Sequence, residues 1–206
     1  MLLKDIAYDR IKQKILNEKY TPGKFLSERS LIEDLDMSKT PIKNALIRLE
    51  TEGFLTVSSK QGIFINELSV DKINDMYNLR IALETFNCKF LHGRITEYQL
   101  DELKQILDVT KEVTDNLDIN SFATYDHEFH LAISNMAGNM EITEILINRQ
   151  DHLRRITLKH LRKDPERVKI FYQDHLQIYE ALKAHQEESV RLMEEHLENS
   201  KSILFR

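Results

Sequence analysis

At 206 residues the chain has room for one large domain or two small ones. Its 41% hydrophobic content suffices for packed cores and excludes wholesale disorder. The 29 basic against 34 acidic residues, a net charge of -5, exclude a molecule coated in positive charge.

A single cysteine, Cys88, excludes an internal disulfide framework and fits a reducing, cytoplasmic setting. No apolar run approaches the ~20 residues of a membrane span, and no signal-peptide pattern opens the chain. With only 5 Gly and 3 Pro, breaks are few and helices are expected to dominate. The charge is unevenly spread. Residues 1–66 hold 11 Lys+Arg and 9 Asp+Glu, residues 67–206 hold 18 and 25, and all 8 histidines lie beyond residue 91. Two domains are therefore expected: 1–66, a linker at 67–70, and 71–206.

In the first, Leu3, Ile6, Ala7, Ile11, Ile15 and Leu16 follow the spacing of an amphipathic helix over Leu3–Asn17. Thr21-Pro22-Gly23 breaks it, and Ser27 can cap a short helix that buries Leu31, Ile32 and Leu35. Asp36-Met37-Ser38 turns the chain into a third helix, Thr40 to Thr51, with Ile42, Leu46 and Leu49 inward. Pro41 is tolerated in its first turn, where an N–H has no helical partner. Two β-prone runs, Phe54–Val57 and Ile63–Ile65, flank the polar stretch Ser58 to Gly62 and predict a hairpin. Three helices and a two-stranded wing make a winged helix-turn-helix.

From Val70 on, six helical segments are predicted, near 70–92, 96–116, 119–136, 140–161, 165–184 and 187–205. Short loops between long amphipathic helices imply an antiparallel all-α bundle of about six helices, so the fold class is mainly α.

In a helix-turn-helix the second helix of the pair enters the major groove, and its first residues face base edges and phosphates. Here those are Ser38, Lys39, Thr40, Lys43 and Asn44, with Arg29 and Arg48 placed to clamp the flanking backbone of double-stranded DNA. A wing carrying Lys60 and ending at Gly62 can approach the minor groove without a side-chain clash. Ordinary surface residues of a small helical domain would read the same way.

Thr21-Pro22-Gly23, Leu26-Ser27-Glu28-Arg29, Ser38-Lys39-Thr40-Pro41-Ile42-Lys43, Ala45-Leu46, Arg48-Leu49-Glu50, Glu52-Gly53 and Gly62 together resemble the GntR family of bacterial transcription regulators. The resemblance implies DNA contacts by Arg29, Lys39, Thr40, Lys43 and Gly62. Lys39 and Lys43 stand where the common pattern has Arg; lysine keeps the phosphate attraction but lacks the fork that reads guanine. Asp36 stands where glycine is usual, in a turn that tolerates left-handed geometry.

In the second domain polar residues interrupt apolar stripes. Asp126 lies among Phe122, Phe129 and Ile133, with His130 one turn on; His175 lies among Val168, Phe171, Ile178 and Leu182; His196 among Leu192, Met193, Leu197 and Ile203. Spacing alone is accounted for by core histidines and a paired aspartate. The residues Asp126 to Ile133, Gly138-Asn139, His175 and His196 are, however, similar to the all-helical FCD domain of the FadR-type branch. That resemblance implies a divalent metal ion held by Asp126, His130, His175 and His196. N/O ligation suits Zn, Ni or Mn without choosing among them. Arg80, which with Glu84 matches a family motif, and Asn139 become candidate contacts for a small organic acid effector. An internal salt bridge to a bundle acid is an equal account of Arg80. His92, His127, His152, His160 and His185 are assigned to surface or packing.

The function expected is that of a homodimeric, sequence-specific DNA-binding regulator, a repressor, without enzymatic activity or membrane partner. Its DNA affinity would be controlled by an organic acid at or near the metal. Alternatives are a regulator for which the ion itself is the signal, a bundle that merely dimerises around a structural metal, and a metal-dependent hydrolase with Glu128 as its base.

Overall fold

The computed structural model describes residues 2–202. The chain divides between Ser69 and Val70 into two compact units. The first is built from α1 (Leu3–Leu16), β1 (Phe25–Leu26), α2 (Glu28–Leu35), α3 (Lys39–Thr51), β2 (Leu55–Ser58) and β3 (Gly62–Ile65). Its core is a single cluster: Ala7, Ile11 and Ile15 from α1, Leu31 and Leu35 from α2, Ile42, Leu46 and Leu49 from α3, and Ile63 and Ile65 from the wing. The turn between α2 and α3 is made at Asp36, which closes α2 in the left-handed conformation at φ 51. Ser27 starts α2, its hydroxyl accepting the Ser30 N–H, a cap that stabilises by about 1 kcal/mol.

The wing differs from the expected two strands. It is a three-stranded antiparallel sheet of order β1-β3-β2, in which Phe25 and Leu26 pair with Phe64 and Ile63. Two residues are too few to display the period-2 alternation that marks a strand, and β1 exists because β3 supplies an edge for it.

The second unit holds α4 (Val70–Leu91), α5 (Glu97–Asp115), α6 (Ile119–Ala137), α7 (Met140–Lys163), α8 (Arg167–Lys183) and α9 (Glu188–Ser202). This is the helical bundle of six expected from the periodicity. The remainder of the last expected helix, with Ile203, lies outside the described residues. Thr96 begins α5 with a capping box closed by Gln99, and Gly138 ends α6 at a left-handed φ of 75. α4 packs chiefly on α9, α6 on α5, α7 and α4, and α8 on α5 and α9. Phe122, Leu161, Val168 and Phe171 form one apolar cluster where α6, α7 and α8 meet. No described helix is long and apolar enough to cross a membrane.

Candidate functional site

α6 carries two polar residues in an apolar face, and α8 and α9 carry one each. On α6, Phe122, Phe129 and Ile133 are buried, so Asp126 and His130, on the same stripe, are carried inward with them. On α8, Val168, Phe171 and Ile178 take His175 inward; on α9, Met193 and Leu197 take His196, while Leu192 is half-buried. The three helices bring one ligand atom from each of Asp126, His130, His175 and His196 within 4.8 Å of one another. His175 Nε2 lies 3.3 Å from His196 Nε2 and 3.5 Å from Asp126 Oδ1. Two neighbouring ligands about 2.1 Å from one ion are about 3.0 Å apart in an octahedron and about 3.4 Å in a tetrahedron, so these spacings fit a first-row divalent ion, and a five- or six-coordinate one would keep one or two positions open beyond these four ligands. The donor set of three imidazoles and one carboxylate fits the same ions.

The surroundings assign a role to each ring. His196 Nδ1 is 3.0 Å from Asp174 Oδ2, so the carboxylate favours the Nδ1–H tautomer and leaves Nε2 bare toward the cluster. His130 Nδ1 meets Glu84 Oε2 at 2.5 Å, a close contact off the axis of a hydrogen bond, and His130 Nε2 is buried with no hydrogen-bond partner. His175 is held differently: its ring stacks on Phe129 at 4.4 Å, and its Nδ1 has no partner. Thr157 on α7 reaches Asp126 Oδ2 at 3.5 Å.

Burial pushes the His130 imidazole below the ordinary histidine range despite the nearby Glu84 carboxylate. Burial, with His196 and His130 beside it, pushes His175 well below that range. Both are neutral at neutral pH, the state in which imidazole ligates. Burial alone would raise the Glu84 carboxyl, but the Arg80 guanidinium beside it holds it well below the carboxylate range.

Arg80 is buried on α4, and its Nε donates to Glu84 Oε1 at 2.6 Å. Of the two accounts the sequence offers for Arg80, the internal salt bridge is present. Asn139 is not brought to the cluster. It is exposed and its Oδ1 caps α7 by accepting the Ile142 N–H at 3.3 Å. Thr157, the α7 residue at Asp126, is 18 residues further on, about 27 Å along the helix, so Asn139 cannot share a small ligand with the cluster. Glu128, the base named for hydrolysis, is exposed on α6, whereas Asp126 and His130 of the same helix are buried. Asp174 escaped the sequence reading because its partner is 22 residues away on another helix. Of the histidines assigned to surface or packing, His92 and His185 are exposed, His127 is half-buried, and His152 and His160 are buried.

In the first unit Lys39, Thr40, Lys43, Asn44 and Arg48 are exposed along α3. Ser38 is the α3 N-cap and its side chain makes no capping bond, so the first-turn N–H groups of the helix are not claimed by it. Arg29 is exposed on α2 and paired to Glu33 at 2.8 Å; Lys39 lies 3.0 Å from Glu28. Both pairs are solvent-screened and easily exchanged for phosphate. Arg48 is more committed: its guanidinium carbon lies 3.6 Å from the Tyr8 ring centroid and its Nε 3.1 Å from Glu52. Lys60 is exposed in the wing turn. Gly62 begins β3 at a φ of 94, and a Cβ there would stand 2.7 Å from the Leu26 carbonyl oxygen, so the fold itself requires glycine at this position.

Comparison with known proteins agrees with both halves. The signature of the FCD domain matches residues 75–199, and that of the gntR family of bacterial regulatory proteins matches residues 3–65. An Nta operon transcriptional regulator of Aminobacter aminovorans is 28% identical over 135 residues, which cover 66% of this chain and 64%, just under two thirds, of that protein. The HTH-type transcriptional repressor RspR of Escherichia coli is 24% identical over 195 residues, covering 93% of this chain and 84% of that one. Among solved structures, that of E. coli McbR/YncC superimposes with a TM-score of 0.78 at 22% identity, over 100% of this chain and 98% of that one. With a GntR-type winged head matched over nearly its whole length and an FCD signature spanning most of the bundle, the chain belongs to the GntR family of bacterial regulatory proteins, as a member with an FCD domain.

Proposed function

We propose that this regulator binds operator DNA as a homodimer and that a small organic acid, seated at or beside a divalent metal ion in the FCD domain, sets its affinity for DNA. The reading is carried by one observation: three imidazoles and one carboxylate, all buried, converge from α6, α8 and α9 in the domain joined to a GntR head. Asp126, His130, His175 and His196 would hold the ion, which would supply open coordination positions for an acid's oxygen. Arg80 spends its Nε on Glu84, and its two Nη groups are the donors that the acid's carboxylate would meet. On the head, Arg29, Ser38, Lys39, Thr40, Lys43 and Arg48 would contact the duplex, with the wing at Lys60 and Gly62 beside the minor groove. Repression is the mode named for the relative RspR, and we extend it to this chain.

The test combines two measurements on purified protein. Metal analysis of the wild type and of His175→Ala and His196→Ala should give a full complement of ion in the wild type and weaker, still measurable binding by the three remaining ligands in each variant; full metal in both variants would remove the assignment. Binding to DNA flanking its own gene, followed as small carboxylates are added with and without chelator, should change only when acid and ion are both present. A change with the ion alone would instead make the ion the signal. No binding at low salt would end the DNA reading.

A further inference from the structure

We infer that Asp174 is a positioning residue for the metal centre, fixing His196 in the one tautomer that can ligate; this rests on the metal reading above. A neutral imidazole carries its proton on one nitrogen and is a ligand only through the other. His196 Nε2 lies 3.3 Å from His175 Nε2, and Nδ1 lies 3.0 Å from Asp174 Oδ2. With the carboxylate in place the proton resides on Nδ1, and Nε2 offers its lone pair to the cluster. Without an acceptor at 174 the proton can move to Nε2, where it points into the space the ion would occupy.

The other two rings do not depend on Asp174. Packing on Phe129 sets the plane of His175, and His130 Nδ1 is against Glu84, itself tied to Arg80. Asp174 directly precedes His175 on α8, so the turn that delivers one ligand also delivers the acceptor for another, across to α9. The Asp174 side chain is 25% exposed, whereas that of His196 is 3%. Its removal therefore leaves no large void, and alanine is well accepted in a helix.

The experiment measures Zn2+ affinity by chelator competition, together with apo-protein melting, for the wild type, Asp174→Ala, Asp174→Asn, His196→Ala and the Asp174→Ala/His196→Ala pair. Asp174→Ala should lose about 10- to 100-fold in Zn2+ affinity with apo melting unchanged. Asp174→Asn, whose amide oxygen can still accept from Nδ1, should lose less. In the His196→Ala background the Asp174→Ala loss should vanish, because the two residues act through one bond. Wild-type Zn2+ affinity in Asp174→Ala, or losses that simply add in the pair, would overturn the inference while leaving the metal reading standing. A wild type that does not bind Zn2+, Ni2+ or Mn2+ would overturn both.

Discussion

Gly62 illustrates how a single residue can be singled out in the sequence for one reason and required by the fold for another. In the sequence it looks like a clearance for DNA at the end of the wing. In the fold it is pinned by a φ of 94 and by the Leu26 carbonyl, 2.7 Å from the place of a Cβ. Gly62→Ala should therefore destabilise the winged unit by about 1–3 kcal/mol even without DNA, seen as a lower melting temperature of that unit. An alanine variant as stable as the wild type but weaker on DNA would return the residue to a purely contact role. The inward placement of the four candidate ligands was legible for a simpler reason: a carboxylate or imidazole in an otherwise apolar helical stripe is carried inward by its neighbours, and i, i+4 spacing places Asp126 and His130 together. That the four form one ligand set was implied only by the resemblance to the FCD domain, since stripes and spacing fit packed core histidines equally. Asp174 was illegible because tertiary packing alone brings α8 against α9 at that turn.

At the scale of elements, the helices were legible because the long ones carry apolar residues at a 3.6-residue period and several are bounded by capping residues, Thr96 and Asp118 at the start of α5 and α6 and Gly138 at the end of α6. β1 was not, since its two residues acquire strand geometry only from β3. Nor did periodicity reveal how deep α7 runs: Leu153, Ile156, Leu158 and Leu161 are buried, and so are His152, Thr157 and His160. The His160 ring stacks parallel to Tyr77 of α4 with centroids 6.5 Å apart, and neither ring nitrogen has a hydrogen-bond partner. Burial first, then the cations Arg167, Lys163 and Lys159, lowers its pKa to about 4 from 6.5. The unfolded chain therefore binds the proton first. His160 contributes its full stability above pH 6.5, begins to lose it below that value, and has lost it by about pH 4, a swing on the order of 3 kcal/mol. His160→Phe keeps a flat ring on Tyr77 and removes the proton. With chelator present, its melting temperature should fall less than that of the wild type between pH 6.5 and 4. Superimposable acid limbs would show that His160 is protonated without cost in the fold.

For the whole molecule the net charge of -5 conceals two bodies of opposite sign, +2 over residues 1–66 and -7 over residues 67–206. The acidic excess belongs to the unit that holds the buried cluster, so attraction to DNA must come from a few placed cations. Arg29, Lys39, Lys43 and Lys60 are the exposed ones on α2, α3 and the wing, while Arg48 is partly spent on Tyr8 and Glu52. Each phosphate neutralised adds about -0.9 to the slope of log affinity against log salt. Four contacts from one head would give about -3.6, and two heads on a paired site about -7. Fluorescence anisotropy of an operator duplex across a salt series reads this number directly. A slope near -7 is expected for the homodimer, and Lys43→Ala, which removes one cation from each head, should bring it close to -5.4. A wild-type slope near -3.6 would mean that one head engages DNA at a time, and the paired arrangement would fall with it. Because lysine attracts phosphate without a bidentate fork, the loss on Lys43→Ala should be nearly equal for operator and scrambled duplexes; a loss confined to the operator would place that lysine on a base edge instead.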